Sequence, residues 1–198
     1  MEIQKMPPKL LTLHISYDGL NSKIWRDIQL CNDTPMNQLA YIIMVSFDTH
    51  AYHQYYFQSC GEKYTEGNVD GIGVHDARKV TMADLYLDKG DSLLMEYDFG
   101  CGQLFNIKIT DATEHPGENS VLYPFVSDGA GSGILDDYGI DDLAYFIEQI
   151  DLVGKTVEPI YYKDRESPWD YRCFSIESLN KTLIGDVTAL TKSYRERS

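Results

Sequence analysis

Two alternating runs joined by a short turn, followed by a run of three- and four-residue steps, leave this chain few ways to fold. In LLTLHISY, residues 10–17, Leu11, Leu13, Ile15 and Tyr17 fall on one side, and Thr12, His14 and Ser16 on the other. A period of two is the mark of a strand with one buried face. Asp18-Gly19 offers a turn. KIWRDIQL, residues 23–30, then alternates again, with Ile24, Ile28 and Leu30 on the apolar side. The two runs predict a hairpin. Past it, Thr34 suits an N-cap and Pro35 the first helical position. Met36, Leu39, Ala40, Ile43, Met44 and Phe47 then recur on one stripe, which predicts an amphipathic helix over 34–47.

Downstream, HQYYFQSCGEKYT (53–65) reads as a strand with a turn at Gly61, and an acidic, glycine-containing loop follows it. A capped turn is predicted at Thr81 and a strand over 92–99. A return strand over 104–110 is reached through a glycine turn containing Cys101. Residues 111–139 show no period. Ile140, Leu143, Ala144, Ile147 and Ile150 make a second helical stripe ended by Gly154. A third helix near the C-terminus is weakened by Gly185.

This order predicts an α+β protein: a β-grasp-like mixed sheet with one main helix on one face. An extra β-hairpin and C-terminal helices are expected to cover the other side. Trp25, on the parity opposite Ile24 and Ile28, is predicted to be buried there under the chain that follows residue 100. Residues 1–154 read as the main α+β domain, and 155–198 as an extension packed on it.

Charge and cysteine usage bound the function. The formal charge is −14 and belongs to residues 1–154, because the last 44 residues hold eight basic against seven acidic side chains. Such a body repels nucleic-acid phosphates and anionic lipid, so neither a nucleic-acid partner nor a membrane is expected. The four cysteines, Cys31, Cys60, Cys101 and Cys173, have no metal-type pairing in sequence. No signal-peptide run and no stretch of about 20 apolar residues occurs. Free thiols in a reducing, cytoplasmic setting are the expectation.

Asp98-Phe99-Gly100 copies the triplet that holds magnesium in protein kinases. Nothing upstream supplies the glycine-rich loop, strand lysine or catalytic Asp that such an enzyme needs. The triplet is therefore predicted to be a turn in which Asp98 accepts hydrogen bonds from nearby donors. His50-x-x-His53 lacks an evident third ligand. Glu66, Asn68, Asp70 and Gly71 resemble the start of a calcium loop, but Ala77 stands where a bidentate Glu is required. Gly71-x-Gly73 lacks the following helix of a dinucleotide fingerprint. Cys101 sits in acidic surroundings that disfavour a reactive thiolate. No metal and no cofactor are expected from these patterns.

Taken in order, IWR at 24–26, the helix after DTPMNQL, HQYYF…GEKY at 53–64, TMADLYLDKGDSLLMEYDFG at 81–100 and YGIDDLAYFI at 138–147 resemble the plasmid pRiA4b ORF-3-like family. The resemblance covers roughly residues 9–152. It implies an α+β fold and an uncharacterised activity, with a suggested likeness to a transposon resolvase. His53, Tyr97, Asp98, Phe99, Gly100 and Gly102 match the family pattern. Cys101, Gln103 and Phe105 stand where the family carries Asp, Trp and His. Val126, Gly133 and Tyr138 fall at its cysteine positions.

Three functions compete. The first is a non-enzymatic module for a protein partner of unknown identity. The second is a small-ligand protein or enzyme with a site between the sheet and loop 111–139, for which Trp25, His53 and Asp98 are the candidate residues. The third, implied by the resemblance alone, is an accessory of plasmid or transposon recombination.

Overall fold

The computed structural model describes residues 8–67, 69–114, 123–163 and 165–197. The order of elements is β1 (Lys9–Tyr17), β2 (Trp25–Cys31), α1 (Met36–Ser46), β3 (Tyr55–Ser59), β4 (Glu62–Thr65), β5 (Val74–Asp76), a 3₁₀ turn (Met82–Leu85), β6 (Ser92–Tyr97), β7 (Gln103–Glu114), β8 (Phe125–Ala130), α2 (Ile140–Val153) and α3 (Ile176–Arg197). Eight strands form one mixed sheet in the order β5-β4-β3-β6-β7-β1-β2-β8. Every pairing is antiparallel except β4 with β5, at one edge. The α+β class expected from the sequence holds.

The alternation dictates the register. Leu13 lies opposite Ile28 and Ile109, and Met95 lies opposite Phe57 and Phe105. These side chains, with Leu11, Ile15, Leu93, Leu39 and Ile43, make the core between the sheet and α1. α1 starts one residue later than the capping pattern predicts: Pro35 occupies the N-cap position and makes no side-chain cap. The first free amides of the helix are met instead by backbone, Met36 N–H donating to the Val80 carbonyl and Asn37 N–H to that of Ala77.

The covering of the sheet differs from expectation. α3 packs on α1 and β8, on the face that α1 already covers, rather than on the opposite face. Leu183 and Val187 are buried, with Leu179, Leu190 and Tyr194 packed around them. Trp25 is accordingly half-buried on the open face, its ring 5.3 Å from that of His14. It is not sealed under later chain. In α2, Leu143, Ile147 and Ile150 are buried, but Ala144 is exposed.

The stretch 111–139 also contains more structure than its lack of period implies. β7 runs on to Glu114, and Phe125–Ala130 adds an edge strand beside β2. The His115-Pro116-Gly117 stretch lies outside the described residues. β8 is glycine-bearing for a steric reason. A Cβ on Gly129 would stand 2.9 Å from Phe174 and 3.0 Å from both Arg26 Cδ and the Trp25 carbonyl.

Arg26 accounts for that crowding. It shares the parity of Ile24 and Ile28 and is fully buried. Its Nε donates to the Ser46 carbonyl at 3.0 Å, Nη1 to those of Trp25 (2.7 Å) and Ala130 (2.6 Å), and Nη2 to that of Gly131 (2.7 Å). The guanidinium lies 3.7 Å from the Phe174 ring centroid and 5.0 Å from that of Phe47. Burial lowers its pKa, with Asp48 pulling the other way. Four carbonyl dipoles and two aromatic faces stand in for water, so the cation is retained. The end of α1 and the end of β8 are thereby tied to one side chain.

Candidate functional site

Three short segments meet at the end of the sheet where β3 begins, β6 ends and the chain leaves β8. The first is the β6–β7 turn. Asp98 takes the left-handed conformation, φ 55°, and its carbonyl accepts from Cys101 and Gly102 N–H at 3.1 and 2.8 Å. Its Oδ1 accepts from Gly100 N–H at 3.2 Å. The triplet is thus a turn closed by its own Asp, as its sequence implies. The strand before it stops at Tyr97, and Phe99 is left exposed rather than in line with the core.

The second segment follows α1. Asp48 and Ala51 both take positive φ, reversing the chain into His53. Tyr194 of α3 donates its hydroxyl to the carbonyls of Ala51 and His53 at 3.2 and 3.3 Å. The third segment is the loop after β8. Ile134 N–H donates to the Phe47 carbonyl, and the Gln103 amide donates to the carbonyls of Leu135 and Tyr138 at 3.2 and 3.3 Å. These bonds bracket two acids with different environments. Asp136 is buried and accepts from His50 N–H (2.8 Å) and the Tyr97 hydroxyl (2.9 Å). Burial raises its pKa, and those two donors oppose the rise. Burial and the neighbouring Asp136 push the Tyr97 phenol well above its usual range. Asp137, at φ 66°, is exposed and accepts from the Tyr52 hydroxyl at 2.7 Å. That bond holds the Tyr52 phenol up at about 12.

The three segments bring His53, Asp98 and Asp137 together. His53 Nε2 lies 3.3 Å from Asp137 Oδ1 and 3.5 Å from Asp98 Oδ2. One donor atom from each residue falls within 4.8 Å of the others, which no other trio of such side chains achieves among the described residues. The Asp98 side chain is 5% exposed, yet its Oδ2 has no hydrogen-bond partner, and neither does His53 Nε2. A buried carboxylate oxygen left unpaired costs about 1–3 kcal/mol or more.

Of the residues singled out in the sequence, His53 and Asp98 therefore converge, while Trp25 lies on the open face of the sheet with His14. His50 does not join the trio; its ring packs against Tyr162 and Tyr52. Cys101 lies beside Asp98, and burial, the charge of that carboxylate and a hydrogen bond from the thiol to it raise the thiol pKa, which makes it a poor nucleophile. Glu66 accepts from the Tyr41 and Tyr55 hydroxyls rather than shaping a calcium loop, and Ala77 is buried. Asp137 escaped the sequence reading, where it is one acid among many.

With this geometry in hand, the relationships are informative. The model of the plasmid pRiA4b ORF-3-like protein family matches residues 9–177. The chain belongs to that family. No curated protein matches it. A crystal structure of a protein of unknown function, MM3350 from Methanosarcina mazei Go1, is similar with a TM-score of 0.69 at 20% identity, covering 88% of this chain and 98% of that one. At that identity the likeness speaks for the fold alone. Two of the positions where this chain departs from the family pattern have structural work: Gln103 holds the 135–138 loop, and Phe105 is buried against Phe47 and Tyr17.

Asp98→Ala removes the acceptor for Gly100 N–H and places an alanine at positive φ, so it should destabilise the fold by roughly 1–3 kcal/mol. Asp98→Asn keeps an acceptor and a residue type that tolerates this backbone, and should cost clearly less. Urea denaturation of the two variants checks the order; equal losses would contradict it.

Proposed function

We propose that this protein works by binding a small, positively charged ligand at His53, Asp98 and Asp137, rather than by turnover. The observation that carries this reading is the unpartnered Oδ2 of Asp98. A carboxylate oxygen this well buried and without a hydrogen bond is expensive, and its one close neighbour of opposite type, the His53 imidazole at 3.5 Å, makes no hydrogen bond to it either. Two carboxylates set against one imidazole give the trio a negative balance, which selects for a cation. A cleft of about 180 Å³ opens on the other side of His53, lined by Tyr52, Tyr55, Glu66 and Tyr194, and it does not include Asp98 or Asp137. The raised thiol pKa of Cys101 weighs against covalent chemistry. The acidity of the chain weighs against contacts with DNA phosphates, and so against a role in recombination on DNA.

Thermal unfolding against a panel of metal chlorides and small organic ammonium salts tests the reading. At a hundred times its dissociation constant, a true ligand should raise the midpoint of a chain this size by roughly 5–10 °C. The Asp98→Asn protein should not respond. If no compound separates the two proteins, the reading fails.

A second reading, a module that docks on a partner protein, is favoured by the open sheet face. Trp25, His14, Leu94, Leu104 and Tyr56, all on the parity opposite the core, are half-exposed. This mixture of aromatic, aliphatic and polar side chains is common at interfaces. A partner captured from the native host by the wild type should be lost with Trp25→Ala while thermal stability is kept. Capture that is indifferent to Trp25 would refute this second reading.

A further inference from the structure

We infer that His53, Asp98 and Asp137 form a site for a first-row divalent metal cation of the zinc or manganese class. The inference rests on the reading that this trio is a binding site, and it names the ligand. Four lines of geometry and chemistry support it.

The first is spacing. Ligand atoms bonded at 2.0–2.2 Å in a tetrahedral shell stand roughly 3.3–3.6 Å apart. The observed separations from His53 Nε2, 3.3 Å to Asp137 Oδ1 and 3.5 Å to Asp98 Oδ2, are edges of that size. The remaining edge lies within 4.8 Å.

The second is the hydrogen-bonding state of the donors. A protonated His53 could direct only one Nε2 proton, so it could satisfy one carboxylate at a time. A cation at the centre satisfies the imidazole nitrogen and both oxygens together, and it offsets the charge of a carboxylate that is almost wholly buried.

The third is orientation from outside the trio. On Asp98, Gly100 N–H occupies Oδ1 and leaves Oδ2 towards His53. On Asp137, the Tyr52 hydroxyl occupies Oδ2 and leaves Oδ1 towards the same nitrogen. Partners of this kind on the far oxygen fix a ligating carboxylate and are a regular feature of metal sites.

The fourth is donor type. One imidazole and two carboxylates suit zinc, manganese or iron(II) better than magnesium or calcium, which favour all-oxygen shells. Three protein ligands leave at least one coordination position, on the exposed Asp137 side, for water or a ligand atom.

The test uses the full chain freed of metal by a chelator. Isothermal titration with Zn²⁺ and with Mn²⁺ should give saturable binding of one cation per chain. Asp98→Asn, Asp137→Asn and His53→Gln should each weaken it by at least about tenfold, with circular dichroism unchanged. Glu62→Gln, which alters the exposed His75–Glu62 pair elsewhere, should bind as the wild type does. Titration with Co²⁺ should give a visible absorption band that the Asp98→Asn protein lacks. Absence of saturable binding by all three cations, or binding indifferent to the three site variants, overturns the assignment. If the cations fail but an organic ammonium salt still raises the wild-type midpoint and not that of Asp98→Asn, the metal is wrong and the binding reading survives. If both fail, both are wrong.

Discussion

The guanidinium of Arg26 is the interaction on which the rest of this structure turns. A fully buried cation is stable only when its nitrogens are hydrogen-bonded, and here all three bond to backbone carbonyls rather than to an acid. Ser46 supplies the last turn of α1, Trp25 supplies β2, and Ala130 and Gly131 supply the end of β8. Carbonyls cannot move without moving the chain. The clamp therefore sets where two separate segments leave their secondary structures. Phe174, stacked on the guanidinium, brings the chain that leads into α3 to the same point. The absence of a Cβ at Gly129 is the steric condition for all of this.

Those two departing segments carry the candidate site. From Ser46 the chain runs through Phe47, whose carbonyl receives Ile134 N–H, and turns twice through positive φ to reach His53. From Gly131 it runs six residues to Asp137. Asp136 pins one segment to the other by accepting from His50 N–H. The two adjacent acids thus divide their labour: Asp136 is spent on architecture, and Asp137 is left facing His53. Asp98 arrives from the opposite direction, on a turn whose shape its own backbone and Oδ1 maintain. The site is assembled from three loops, but each is braced by regular structure, which is how loops come to hold chemistry in fixed geometry.

Much of the scaffold was legible in the sequence because burial follows period. β1, β2, β6 and β7 alternate cleanly, and α1 carries one apolar stripe. His53 and Asp98 could be singled out because both match the family pattern and carry acid–base side chains. Other features could not be read that way. Arg26 occupies a core parity with a side chain whose type argues for the surface, and only the carbonyls gathered around it reconcile the two. β8, with Ser127, Asp128, Gly129 and Ala130, has the composition of a loop; at Gly129 the reason is close packing on Arg26 and Phe174, while Ser127 and Asp128 are exposed. Asp137 is one acid in an acidic chain, and its partners are 84 and 39 positions away. Trp25 misled through a sound rule applied to the wrong cover. An exposed Trp is costly, but half-burial against His14 on an open face suffices.

If one side chain assembles both the fold's edge and the site, loosening it should loosen both segments at once. Arg26→Lys keeps the charge but offers three donors from a single point, which cannot span four carbonyls. Peptide-resolved hydrogen exchange of the full chain measures the consequence. The account predicts that protection falls together across 46–53 and 130–137, while β1, β6 and β7 exchange as in the wild type. Unchanged exchange in both segments, or a loss confined to one of them, would contradict it.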